Sequence, residues 1–366
     1  MLPRPWVREY GCGVTTKRVP RRVAANVVVY ASVLATLCGC ATRPTGELTR
    51  FEFTRPEMGL PFRMLLYAPD RLSAEAAAEA GFARIHQLND TFSDYDYDSE
   101  LSRLSRTSGS GQKVEVSEDL WRVLTLAQSL AKRSDGAFDV TVGPYVNLWR
   151  KARRDKQFPA PERLERARRA VGFGYLRLDA GNRMVELDVP NMRLDLGAIA
   201  KGYAVDEALK VLKEHGIRSA LVGGSGDMAA SDPPPARKGW RIEVAPLDAP
   251  DAPPTRYVLL SNRAIATSGD SFQRLEIEGR RYSHIVDPRT GLGLTDHSLV
   301  TVIAPDCVTA DSLATTVSVL GPDRGIRLVE QTRQAAVHLV RKPGDRIESI
   351  DSSRFARFYE GPDTSR

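Results

Sequence analysis

The sequence predicts a mixed α+β protein, and three observations predict it. Apolar residues recur with helical period in several separated stretches, and short runs rich in Val, Ile and Leu stand between those stretches. No internal repeat, coiled-coil heptad or low-complexity block interrupts the succession. Because the two periods are interleaved along the chain, no boundary between independent domains is readable.

Ala78, Phe82, Ile85 and Leu88 fall at helical spacing and predict a helix over 73–92. Ser117, before Glu118 and Asp119, has the chemistry of an N-cap. It opens a helix running to 133 with Leu120, Val123, Leu124, Ala127 and Leu130 on its buried stripe. A third helix follows Pro161. Short strands are expected at 176–178, 184–187 and 193–196, then a helix from Ala198 that stops at His215-Gly216, where Gly suits a C-terminal stop. A strand over 219–222 runs into Gly223-Gly224-Ser225-Gly226-Asp227. The stretches 229–235 and 248–254, rich in Pro, Asp and Ala, read as surface loops. Strands resume at 240–245, 257–260, 264–267 and 299–303, helices at 309–320 and 323–331, and a last strand at 335–340.

Ahead of these elements, residues 1–39 have the layout of an export signal: Arg4, Arg8, Lys17, Arg18, Arg21 and Arg22 against Glu9, then an apolar run over 23–37. A spanning helix needs about 20 apolar residues, and this run is shorter. It ends at Leu37-Cys38-Gly39-Cys40, which resembles a bacterial lipobox with Cys40 as the lipidated residue; an uncleaved anchor is the competing reading. Cleavage there removes +5 of the formal +6 charge, so the basic balance gives no reason to expect nucleic acid as a partner. Cys12 and Cys38 leave with the signal and Cys40 takes lipid. Only Cys307 remains, which excludes a disulfide or a thiolate metal site within one processed chain. Residues 40–54 are polar and read as a tether, 55–350 as the folded domain and 351–366 as a C-terminal tail.

Five clusters combine Gly, acids and hydroxyls at turns between apolar elements, where binding groups concentrate. They are Phe92-Ser93-Asp94-Tyr95 with Ser99-Glu100-Leu101-Ser102, the stretch from Asp135 to Pro144, Asp195-Leu196-Gly197-Ala198 through Tyr203, Ser283-His284-Ile285-Val286-Asp287-Pro288 with Thr290-Gly291, and Ala310-Asp311-Ser312-Leu313-Ala314-Thr315. Asp311 and Thr315, four apart on a helix, point their oxygens from one face to one spot. Such a sparse oxygen site suits a hard cation such as Mg²⁺. Taken alone, Asp311 reads first as a charge complementing a helix N-terminus after a Thr309 cap. Asp195 sits at the end of a strand before a Gly turn, which puts it at a cleft edge or simply in solvent. Lys201 has an ordinary exposed-lysine reading, Met58 and Tyr95 an ordinary core reading, and the Gly223–Asp227 loop that of a plain tight turn. His86 and His215 lie on helices and read as structural. His284 differs because imidazole, set before a Val-Asp-Pro turn, suits general-base work.

In order and spacing these clusters resemble the FAD:protein FMN transferase (ApbE) family, over nearly the whole chain from Met58 to the last strand. The resemblance implies a single catalytic domain of two interleaved lobes with the flavin cleft between them. It implies that Met58 and Tyr95 pack on the flavin, that Ala137, Phe138 and Asp139 run along the ligand, that Asp195 and Lys201 contact FAD, and that Ile285 does so through its main chain. It places the metal, Mg²⁺ with Mn²⁺ also suited, on Asp311, Thr315 and the Ala198 carbonyl, and makes His284 the general base. Ser225 stands where the family has Gly. The implied reaction moves FMN from FAD to a Ser or Thr hydroxyl of an exported or membrane redox protein and releases AMP. The acceptor motif, close to Asp-x-x-Ser/Thr-Gly-Ala-Ser/Thr, does not occur in this chain, so the acceptor is another protein. An FAD pyrophosphatase and a non-catalytic FAD-binding lipoprotein are the alternatives. The location expected is a bacterial membrane surface facing the periplasm or cell exterior.

Overall fold

The computed structural model describes residues 47–247, 256–269, 274–277 and 279–360. The export signal, Cys40, the first part of the expected tether, the 248–254 loop and the last residues of the tail lie outside the described residues. Among the described residues no helix is long and apolar enough to cross a membrane.

The chain opens with a hairpin of β1 (Thr49–Glu57) and β2 (Leu60–Ala68), followed by α1 (Arg71–Phe92) and α2 (Glu100–Ser105). Next come β3 (Val114–Glu115), α3 (Glu118–Arg133), α4 (Gly143–Asp155), α5 (Pro161–Arg168), β4 (Leu176–Asp179) and β5 (Met184–Leu187). The second half runs α6 (Ala200–Glu214), β6 (Ala220–Gly224), β7 (Asp227–Ala230), β8 (Trp240–Val244), β9 (Arg256–Leu260), β10 (Arg263–Gly269), β11 (Arg274–Ile277) and β12 (Arg280–Ser283). It closes with β13 (Ser298–Ala304), α7 (Cys307–Glu330), β14 (Ala336–Arg341) and β15 (Glu348–Asp351).

An eight-stranded antiparallel sheet in the order β1-β2-β6-β7-β10-β13-β14-β15 is the frame. Helix α1 packs on α6, α6 on α7, and α7 across β10 and β13, burying one face of the sheet. The β8–β9 hairpin and Phe355 cover part of the other face through Trp240, Ile242, Val258 and Leu260. Covered on both sides, β13 is buried at every residue, which is why it reads as a continuous apolar run rather than an alternating one. A third cluster of Tyr145, Trp149, Leu275, Tyr282 and Val286 joins α4 to the β11–β12 hairpin and builds the wall opposite the sheet.

The expected helices at 73–92, after Ser117, after Pro161 and near Ala198 are all present. Ser117 caps α3 by accepting from the Leu120 amide at 3.3 Å, and α6 ends at Gly216 with φ 82°. The two helices expected at 309–320 and 323–331 are both present within the stretch labelled α7, which Gly321 (φ 72°, ψ −176°) breaks before Pro322. Its cap is Asp306, not Thr309: Asp306 accepts from the Thr309 amide at 3.0 Å, so Asp311 stands a full turn inside the helix and is free of capping work. Residues 193–196 form only an isolated bridge from Arg193 to Val142. Helix α4 escapes the periodicity because it starts at Gly143-Pro144, a pair that looks like a turn but puts Pro in the first helical turn, where its missing N–H costs nothing.

Two boundaries move. The tether does not reach Thr54: β1 begins at Thr49 and pairs with β2 along its whole length. As an edge strand carrying Arg50, Glu52 and Arg55, it has the polarity of a linker while making strand hydrogen bonds. The tail is also not free from 351 onward. Phe355 is fully buried, and Arg354 donates to the carbonyls of Val329, Glu330, Thr332 and Ala335, closing the C-terminal end of α7.

Candidate active site

A cleft of about 770 Å³ opens where α6, α7 and the β6–β7 hairpin meet the α4 wall. The hairpin turns through Ser225 and Gly226 with φ of 52° and 93°, the left-handed pair that a two-residue strand turn requires. The Gly-rich run is thus a tight turn, and its product is Asp227, paired across to Gly224 and buried at the cleft floor. Ser225 holds a backbone conformation that costs a non-Gly residue about 1–2 kcal/mol.

Lys201, in the first turn of α6, joins this carboxylate to that of α7. Its Nζ lies 2.7 Å from Asp227 Oδ2 and 3.2 Å from each oxygen of Asp311. Asp311 Oδ2 also accepts from the Gly202 amide at 3.0 Å. Burial and the neighbouring Asp311 push the Asp227 carboxyl up to about 7. Burial works to lower the Lys201 pKa, but Asp311 and Asp227 outweigh it and hold the ammonium charged. Ala198 and Thr315 line the same end of the cleft.

A second ionic group adjoins the first, since Lys201 Nζ also donates to the Gly197 carbonyl at 3.3 Å. Asp195 Oδ1 accepts from the Gly197 amide at 2.9 Å and Oδ2 from Arg150 at 3.0 Å, so this carboxylate is engaged by the protein itself. Arg150 is shared with Asp94 and lies 4.2 Å from the centre of the Tyr95 ring, which stands exposed at the rim. Burial and Asp94 raise the Asp195 pKa against the pull of Arg150. Asp139 is buried and accepts from the amide and hydroxyl of Thr141 at 2.8 and 2.7 Å, with Ala137 and Phe138 beside it in the lining. Arg153 also lines the cleft, and among the described residues it makes no ion pair or hydrogen bond.

His284 follows β12 and faces the cleft half-buried. Its neighbours are fixed: the Ser283 amide donates to Leu294 O at 2.7 Å, the Ile285 amide to Ser283 Oγ at 3.1 Å, and the Leu294 amide to Ile285 O at 2.9 Å. The Ile285 amide and one lone pair of its carbonyl are thus used within the protein, and the residue lines the cleft. Asp287 binds Arg289, and the turn it starts docks on α4, where Trp149 Nε1 donates to Gly291 O at 2.8 Å. Met58 is placed apart from the other expected residues: it sits at the β1–β2 turn with φ 50°, packed on the main core, and Leu60 takes the cleft position instead. His338 is buried far from these groups on β14, with Nδ1 2.5 Å from Asp351.

Among the described residues, six carboxylates line the cleft (Asp94, Asp139, Asp195, Asp227, Glu243 and Asp311) against Arg150, Arg153 and Lys201. Among the described residues no group of three His, Cys, Asp or Glu side chains could hold a metal ion by itself. A cation would therefore draw on hydroxyl, carbonyl and substrate oxygens, the habit of Mg²⁺. The donors present fit that habit: all are hard oxygens, and Asp227 Oδ2 is buried with no aligned hydrogen-bond donor.

A model of the ApbE family matches residues 58–339. The chain belongs to the ApbE family. An FAD:protein FMN transferase of Vibrio cholerae is 32% identical over 338 residues, covering 91% of this chain and 98% of its own. One from Haemophilus influenzae is 32% identical over 294 residues, covering 79% and 85%. Among solved structures, the flavin transferase ApbE from Vibrio cholerae aligns with a TM-score of 0.77 at 31% identity, over 85% of this chain and all of that one. The Pseudomonas stutzeri flavinyl transferase ApbE aligns with a TM-score of 0.75 at 30% identity, over 85% and 97%.

In this ApbE-family chain the α6–α7 contact sets the position of Asp311. A Cβ on Gly202 would fall 2.4 Å from the Cys307 carbonyl oxygen, so only glycine lets the two helices meet. Gly202→Ala is expected to cost about 1–3 kcal/mol by overpacking and to lower activity as well, because it displaces the amide that holds Asp311; denaturant midpoint and turnover should fall together. Asp206, on the same helix, accepts from the Cys307 and Val308 amides at 2.8 Å each and orients the start of α7. Burial pushes its carboxyl up to about 7, against about 3.9 for an unfolded Asp. Between those values the folded state holds the extra proton, so this group's contribution is favourable at low pH and is lost as pH rises towards 7. Asp206→Asn should flatten that part of the pH dependence of the thermal midpoint between about pH 4 and 7.

Sequence reasoning singled out Asp94 and Asp227 within their clusters but gave neither a role of its own, and it missed Arg150 and Arg153. Asp227 had a weak signal, as the acid closing the Gly-rich run. The arginines sit three apart on α4 and had none while that helix went unread.

Proposed function

We propose that this chain transfers FMN from FAD to a Ser or Thr hydroxyl of an exported redox protein, with AMP as the other product. The observation that carries this is the pairing of Asp311 with Lys201 and Asp227 at one end of a flavin-sized cleft, in a chain whose relatives bear the name FAD:protein FMN transferase. Asp311, Thr315 and the Ala198 carbonyl would hold Mg²⁺, which supplies charge neutralisation and Lewis acidity at the FAD diphosphate. Among the described residues, lining carboxylates outnumber lining Arg and Lys two to one, so a divalent cation offsets the repulsion that the diphosphate otherwise meets.

The chain's own groups do the rest. His284 takes the proton of the attacking hydroxyl, and the oxygen so freed bonds to the FMN-side phosphorus as the bond to the AMP-side oxygen breaks. Tyr95, Phe138 and Ile285 offer apolar and aromatic surface to the flavin ring. Arg150 is neutralised by Asp94 and Asp195 and orients rather than binds. Arg153 remains for an oxyanion of the substrate, and Arg153→Ala is expected to weaken FAD binding by about tenfold, the size of one charge-assisted hydrogen bond lost, measured by flavin fluorescence.

The same reading makes the chain an exported lipoprotein, anchored through Cys40 to a bacterial membrane. Confinement to the surface that carries the acceptor raises the effective concentration of both. The test is to incubate the full chain with FAD, Mg²⁺ and a peptide bearing the acceptor motif. A peptide heavier by FMN supports transfer; free FMN with AMP indicates a pyrophosphatase, and FAD recovered intact a binding protein.

A further inference from the structure

Lys201 has two different holds on the carboxylates around it. Its Nζ is 2.7 Å from Asp227 Oδ2 but 3.2 Å from both oxygens of Asp311. Asp311 Oδ2 is already taken by the Gly202 amide at 3.0 Å, so Oδ1 is the oxygen left for a cation, and Lys201 faces it. An ammonium and a divalent cation on one carboxylate oxygen repel each other, and burial strengthens that repulsion. Asp227 offers the ammonium a place to remain. It is carried by the β6–β7 hairpin and reached by the Thr267 main-chain N–H of β10, so its position does not depend on α7. Its Oδ2 is buried and has no aligned donor, so it can accept a hydrogen bond from Lys201 once the ammonium turns away from Asp311.

We propose that Lys201 is a resident counter-ion that leaves Asp311 when a divalent cation binds, and that Asp227 is the positioning residue that keeps the displaced ammonium in the cleft. This rests on the reading of Asp311 as a metal residue. Lys201 then competes with the metal, and Asp227 lowers the cost of that competition. Removing the lysine tightens metal binding, while removing the Asp227 charge leaves Lys201 with Asp311 alone and weakens it.

The test is the affinity of the full chain for Mn²⁺, measured by electron paramagnetic resonance without FAD or acceptor. Lys201→Met is expected to bind Mn²⁺ about tenfold more tightly and Asp227→Asn about tenfold more weakly than the natural chain. The loss from Asp227→Asn should be larger with Lys201 present than in the Lys201→Met background. Unchanged or weaker binding by Lys201→Met overturns the counter-ion role. Equal losses in the two backgrounds overturn the positioning role, making Asp227 a carboxylate acting directly on the metal. Should Lys201→Met not fold with two buried carboxylates uncompensated, the double variant, which removes one charge of each sign, is compared with Asp227→Asn and must bind more tightly. Asp311→Asn separates this from the underlying reading: if it binds Mn²⁺ as tightly as the natural chain, the metal assignment itself fails, whatever Lys201 does.

Discussion

Asp311→Asn is expected to lower flavin transfer by roughly a thousandfold, since losing about 4 kcal/mol of charge stabilisation at the reacting phosphate has that effect on rate. Asparagine keeps an oxygen to accept from the Gly202 amide, which Asp311 Oδ2 receives at 3.0 Å, so the α6–α7 contact should survive. The variant also relieves the crowding of two carboxylates around one lysine. A thermal midpoint within a few degrees of the natural chain, with AMP release nearly abolished, separates a chemical loss from a folding one. Chelating divalent cations from the natural chain should reproduce the loss, and added Mg²⁺ should reverse it.

His284→Gln is expected to cost about 10²–10⁴-fold in transfer, the usual worth of a positioned general base. FAD affinity should stay unchanged, because the backbone around His284 is held by the hydrogen bonds of Ser283, Ile285 and Leu294. A base acts only when unprotonated, so transfer by the natural chain should rise as pH increases through the histidine range, and the variant should lack that rise. A loss in FAD binding equal to the loss in rate would instead make His284 a ligand contact.

The parts of this site readable in the sequence are those whose meaning is local. Asp311 and Thr315 lie one helical turn apart, and any helix there brings them to one spot; Asp195, Gly197 and Lys201 are ordered by one turn into α6. What was unreadable depends on pairing at a distance. Asp227 gains its role from Lys201 on α6 and Asp311 on α7, and nothing in the Gly223–Asp227 run indicates those partners. Arg150 is defined by Asp94 and Asp195, residues in two other segments. The fold shows the same division. The stripe of α3 announces itself because one face is buried and the other wet, whereas β1 hides because an edge strand with charged side chains looks like a linker. Phe355, with Phe358 and Tyr359 close behind it, lies past the last expected strand, and only the second core shows why it is there.

In the proposed reaction a protein hydroxyl, not water, receives the FMN phosphate in this cleft. Running the reaction in ¹⁸O-labelled water with FAD, Mg²⁺ and acceptor peptide tests it directly. Transfer predicts FMN on the peptide and AMP, neither of them carrying solvent oxygen. FMN released free with one ¹⁸O in its phosphate, and a peptide left unmodified, would contradict the account.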